Sequence, residues 1–242
     1  MSQEPWELDD NPSKYHDYNW YSDEVPTRKF YLFIAEIGHR LRRLMTDEDS
    51  IKMIELCEQC GEGVIEEDEV ADFAQNNRPT GEGDLAVNLH ANALYYWVGD
   101  RYKVASHGVQ EFAIDAFMID SAVRAGVLRP DATNEEVSAT QQLPEFAAIR
   151  ERTELEWGEL VRCIYGANPF HPVVFDPRWR SESAVVLART AYDTRDFTLL
   201  PILADALEEA GCDHADVLAH CRDPKASHAR GCWVVDLVLN KS

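Results

Sequence analysis

Basic residues are scarce in this sequence: 23 Lys and Arg face 44 Asp and Glu, leaving a formal net charge of −21 over 242 residues. A protein that grips a nucleic-acid backbone does so by releasing counterions from a basic stripe, and a surplus of carboxylates opposes that. An anionic lipid surface would repel the chain for the same reason. Long apolar runs are missing too, since nothing approaches the ~18 uninterrupted apolar residues of a membrane-crossing helix. Met1 to Asp10 are acidic and lack the basic-then-apolar layout of a secretory leader. No alternation of polar and apolar residues lasts long enough to make a useful β-strand. The sequence has no G-x-G-x-x-G, no Walker loop, no G-x-S-x-G elbow and no H-E-x-x-H. What remains is ordinary for a globular protein: 45% hydrophobic and 28% charged residues, enough to build a core and too apolar for a wholly disordered chain.

Helical periodicity dominates from Arg28 onward. Phe30, Phe33, Ile34, Ile37, Leu41 and Leu44 fall on one helix face. Thr46 and Asp49 resemble a capping box ahead of a second helix that stops at Gly61. Residues 65–77 predict a short acidic helix. A long helical stretch from Asp84 to Gly126 is broken near Gly99 or Gly108, and a polar connector with one helical turn spans 128–144. Glu145 to Tyr165 predicts a further helix, ended by Gly166. Asn168-Pro169-Phe170-His171-Pro172 resists helix, because residues before proline are pushed to extended geometry. Its neighbours Val173, Phe175 and Trp179 suit an ordered strap better than a flexible linker. Ser181 or Ser183 can cap the next helix, Pro201 suits a first turn, and Asp213 can cap a short helix to Cys221. The last segment, Cys232 to Leu239, is apolar enough to dock into a core. The expected architecture is all-α: an irregular multi-helix bundle with an extended strap between two helical sub-blocks. Its parts are an aromatic and acidic arm at 1–27, an N-terminal block at 28–166, the strap at 167–180 and a C-terminal block at 181–242 that forms one compact domain with the preceding block.

The segment from Arg162 to Lys241 carries a recognisable run: Asn168-Pro169-Phe170, Asp176, Trp179, Leu200-Pro201-Ile202-Leu203-Ala204-Asp205-Ala206-Leu207-Glu208, Ala210-Gly211-Cys212-Asp213, Leu218-Ala219-His220-Cys221-Arg222, His228, and Arg230-Gly231-Cys232-Trp233-Val234-Val235-Asp236-Leu237. In this it resembles a large uncharacterised bacterial family. Arg28 to Phe33 resembles the same family more loosely, but Ala35, Ile37 and Gly38 stand where relatives are rich in cysteine. The resemblance implies an all-helical fold and an intracellular setting, and it carries over no catalytic residue.

Six cysteines, Cys57, Cys60, Cys163, Cys212, Cys221 and Cys232, lie within or beside these helices in a chain without a secretory leader, so reduced thiols in the cytoplasm are expected. Cys57 and Cys60 share a helix face and lack the second pair of a zinc site or the βαβ setting of a redox motif. The C-terminal Cys212, His220, Cys221, His228 and Cys232 combine thiolate and imidazole, both good zinc donors, in spacings that fit no standard finger. The competing reading makes the thiols core residues and the histidines helix caps. Asp205, Asp213, His220, Arg222, His228, Arg230 and Asp236 form a candidate polar cluster for acid–base or metal-assisted chemistry, or for ion pairs that fix helix ends.

No catalytic set assembles from spacing, so the expected function is a non-enzymatic helical protein-interaction or regulatory module. Its interface anchors would be exposed aromatics such as Trp20, Trp179 and Tyr192. The alternative is a metal-binding or hydrolytic protein centred on the C-terminal His/Cys/Asp cluster. No cofactor is expected under the first reading, and zinc is the candidate under the second. A protein partner, possible self-association, and neither membrane nor nucleic acid complete the expectation. Acids crowd residues 1–24 and 47–72, whereas Arg178, Arg180, Arg189, Arg195, Arg222, Lys225 and Arg230 lie toward the C-terminus. A cationic partner should therefore meet the N-terminal half.

Overall fold

The computed structural model describes residues 27–45, 48–77, 108–129, 132–166, 173–224 and 226–241. Among them are ten α-helices and no strand, so the fold is all-α. The expected arm with Trp20, the Thr46 cap, the helix begun at Asp84, the Asn168–Pro172 part of the strap and Lys225 lie outside the described residues. The described residues divide into two compact units, 27–157 and 158–241. The division falls between Trp157 and Gly158, inside a helix.

The first unit begins with α1 (Thr27–Leu41), which buries Phe30, Phe33, Ile34, Ile37 and Leu41 as its periodicity requires. It also buries Tyr31, Leu32 and Ala35, so apolar neighbours cover more than one of its faces. Helix α2 (Glu48–Gly61) packs against α1 through Met53, Ile54, Cys57 and Cys60. The approach is close at Gly38, where an added Cβ would lie 2.5 Å from Ile54 Cγ1. Cys57 and Cys60 do share a buried face, and burial, together with the neighbouring Cys60, pushes the Cys57 thiol far above the ordinary thiol range. Both are core residues. Helix α3 (Glu67–Asn76) follows, then α4 (Gly108–Arg124). Asp120 of α4 is buried, with Arg43 Nη2 donating to its Oδ1 at 2.6 Å and Arg124 Nε lying 2.8 Å from its Oδ2. The connector expected at 128–144 holds a seven-residue helix, α5 (Asn134–Thr140). Its start is a reciprocal capping box: the Thr133 N–H donates to Glu136 Oε2 at 2.8 Å and the Glu136 N–H donates to Thr133 Oγ1 at 3.3 Å. Helix α6 (Pro144–Tyr165) runs across the division and stops where Gly166 takes φ = +97°, a conformation that favours glycine.

In the second unit, the described part of the strap before the next turn, Val173 to Asp176, has no regular secondary structure, and Asp176 itself is extended. Asp176 then caps a 3₁₀ turn at Pro177–Trp179 by accepting from the Arg178 N–H at 2.9 Å. Ser181 caps α7 (Glu182–Thr194), its Oγ accepting from the Ala184 N–H at 3.2 Å. Helix α8 (Leu200–Glu209) has Pro201 in its first turn. Helix α9 (Ala215–Arg222) starts later than Asp213 and makes no side-chain cap bond at His214. Helix α10 (Trp233–Leu239) buries Trp233, Val234, Val235, Asp236 and Val238, as its apolar run predicts. These helices close around one core to which Cys163, Ala188, Leu203, Leu207, Val217 and Val234 all contribute.

Candidate metal centre

Four side chains from separate places converge in the second unit. Cys163 comes from the last turn of α6, His220 from the last turn of α9, His228 from the loop after α9, and Cys232 from the residue before α10. Their donor atoms all lie within 4.8 Å of one another. His220 Nε2 is 3.3 Å from Cys232 Sγ, and Cys163 Sγ is 3.8 Å from His228 Nδ1. The two imidazoles meet edge to face, with ring centres 4.9 Å apart. In a tetrahedral zinc site with bonds of about 2.3 Å to sulfur and ~2.0 Å to nitrogen, donor atoms sit about 3.3–3.8 Å apart. The two distances above fall in that range, and the remaining donors lie within 4.8 Å of one another.

The surroundings suit a buried metal. Cys163 and Cys232 are fully buried, and the histidines are half-buried beside them. Ring packing helps orient the histidines: His220 lies 5.4 Å from the Trp233 ring centre, and His228 lies 6.3 Å from that of Phe197. Burial alone would raise the Cys232 thiol. The hydrogen bond from Cys163, the charge of His220 and hydrogen bonds from both histidines outweigh it and hold Cys232 well below the ordinary thiol range. Thiolate character of this kind is what a metal ligand requires. A divalent ion with two thiolates and two neutral imidazoles also sums to zero charge, which avoids leaving a net charge in an apolar core.

The structure thus gathers three of the five metal candidates, His220, His228 and Cys232, and adds Cys163, which the sequence reading left out. Cys212 and Cys221 are buried core thiols outside the set. Burial, with Cys232 and Cys212 nearby, pushes the Cys221 thiol far above the ordinary range, opposite to Cys232.

The candidate polar cluster separates into parts. Arg222 pairs with Asp205 at 2.7 Å and with Glu208 at 2.6 Å, joining α9 to α8 on the surface. Arg230 donates from Nε to the Tyr192 carbonyl at 3.1 Å, at the end of α7. Asp213 is exposed and Asp236 is buried within α10. The aromatic anchors also move inward. Trp179 is 8% exposed and donates its indole N–H to the Gly211 carbonyl at 3.1 Å, and Tyr192 is 4% exposed. Both are core residues and not exposed docking points; Trp20, the third, lies outside the described residues. No helix among the described residues is long and apolar enough to cross a membrane.

Compared with protein-family models, curated proteins and solved structures, the chain matches none.

Proposed function

We propose that residues 158–241 form a metal-stapled helical domain in which Cys163, His220, His228 and Cys232 hold one zinc ion. The observation that carries this reading is the convergence of four soft and borderline donors within 4.8 Å. An S₂N₂ set of this kind suits zinc above the harder divalent cations. Four protein donors complete a tetrahedron and leave no position for a substrate, which favours a structural centre over a catalytic one. The full burial of both sulfurs points the same way, because a bulky substrate could not reach them. All four donors lie in the segment that carries the family resemblance, and the reading extends to that family as a proposal.

The chain as a whole is then a non-enzymatic module, and the zinc ion fixes the surface that its C-terminal unit presents. Support for a cationic protein partner comes from the exposed acids Glu48, Asp49, Asp68, Glu69 and Asp72 on α2 and α3. Elemental analysis of protein purified without chelator tests the metal reading. About one zinc per chain is expected, and less than about a tenth of an equivalent in protein that also fails to take up added zinc overturns it.

A further inference from the structure

The two sulfurs of the centre are neighbours of each other as well as of the imidazoles. Cys163 and Cys232 lie within the same 4.8 Å set, and both are reduced thiols. Both belong to the same buried core cluster. Cys163 lies in the last turn of one helix and Cys232 immediately precedes another. The other two thiols of this unit differ. Cys212 and Cys221 belong to the core and stand outside the donor set. The sulfurs belong to the core cluster, while the two imidazoles are half-buried.

We infer that the centre is a redox-released metal site, in which a hydroperoxide converts Cys163 and Cys232 to a disulfide and expels the zinc ion. The inference rests on the zinc reading above. One thiolate attacks the peroxide oxygen, the O–O bond breaks, and a sulfenic acid forms while the departing oxygen leaves as water after taking up a proton. The second sulfur then attacks the sulfenic sulfur, and the hydroxyl leaves as a second water with another proton. In sum, two thiolates, one hydrogen peroxide and two protons give one disulfide and two waters. The sulfurs are oxidised, the peroxide is reduced, and zinc keeps its charge. With both thiolates consumed, only two imidazole donors remain, too few to retain the ion against solvent.

The test uses the full chain loaded with zinc, its metal content measured before anything is added. Hydrogen peroxide is titrated in the presence of a chromogenic zinc chelator of modest affinity, and the products are mapped by peptide mass spectrometry under non-reducing conditions. The expected result is one zinc released for each Cys163–Cys232 disulfide formed, a mass lowered by two hydrogens, and full re-binding of zinc after a dithiol reductant. Cys221→Ala, which removes a thiol outside the donor set, should behave as the parent does. Zinc that stays bound through complete oxidation of the other thiols overturns the inference and leaves the zinc reading standing. A disulfide that maps to Cys212 or Cys221 overturns it equally. A chain that takes up no zinc at all removes both readings together.

Discussion

The guanidinium of Arg230 lies over the ring of Tyr192, 5.3 Å from its centre, while its Nε donates to the Tyr192 carbonyl at 3.1 Å. One side chain thus stacks on a buried aromatic and satisfies a carbonyl in the last turn of α7. It also ties down the loop that carries His228, two residues away.

Arg230→Ala should therefore cost stability and metal affinity together. Loss of the stacking and of a charged hydrogen bond should destabilise the fold by about 1–3 kcal/mol. Zinc should leave the variant more readily in a competition with a chelator. Denaturant unfolding and chelator titration check the two effects, and an unchanged metal affinity would show that His228 is held independently of Arg230.

Metal removal should loosen the second unit. A ligand bound only by the folded state adds about 4 kcal/mol when present at a thousandfold its dissociation constant. Chelation should lower the melting temperature, and Cys163→Ser should reproduce the loss without chelator. Cys212→Ser, outside the donor set, should keep its zinc. Differential scanning calorimetry with and without chelator decides the matter, and identical traces would count against a bound structural ion.

The thiols should differ in reactivity. Burial holds Cys57 and Cys221 protonated well beyond neutral pH, so raising the pH to about 8 should not render them reactive while the fold is intact. Cys163 and Cys232 should be protected by zinc and become alkylated once it is chelated. Iodoacetamide labelling followed by mass spectrometry reads each site. Rapid labelling of Cys221 in the zinc-loaded fold would contradict the packing described for the second unit.

Gly38→Ala should destabilise the first unit by about 1–3 kcal/mol, because the new methyl overlaps Ile54. Shortening Ile54 to Ala makes room for it. The double variant should therefore lose less stability than the two single losses added together, as residues in direct contact do. Strict additivity by denaturant unfolding would mean that α1 and α2 separate to absorb the methyl.

Much of the fold could be read before any coordinates. The apolar stripe of Phe30 to Leu41, the glycine after Tyr165, the Ser181 cap and Pro201 near the start of α8 each act through local rules, and each appears where those rules place it. Helix α5 was legible only as one turn within the connector, because its capping box, Thr133 with Glu136, precedes too short an apolar pattern to mark its full length. The four-residue His/Cys set was only half legible. His220, His228 and Cys232 share one stretch of chain, so their residue types drew notice. Cys163 belongs to a different helix, and nothing in its local sequence separates a ligand from a core thiol. Cys212 and Cys221 are the converse, alike in type and in the same stretch but turned into the core. The aromatic anchors failed for a related reason. Exposure follows from which face of an element meets the core, and Trp179 and Tyr192 both meet it.

Helix α9 is fastened at its end in two unlike ways. Arg222 reaches Asp205 and Glu208 across exposed surface, and His220 reaches the sulfur of Cys232 beside the core. Concentrated electrolyte, with a screening length of about 3 Å at 1 M, dissolves the first attachment and hardly touches the second. With zinc bound as proposed, a chelator in dilute buffer should do the reverse. The same eight-residue helix can thus be loosened on either side by choice of solution, and a solvent condition becomes a way to ask which attachment its neighbours depend on.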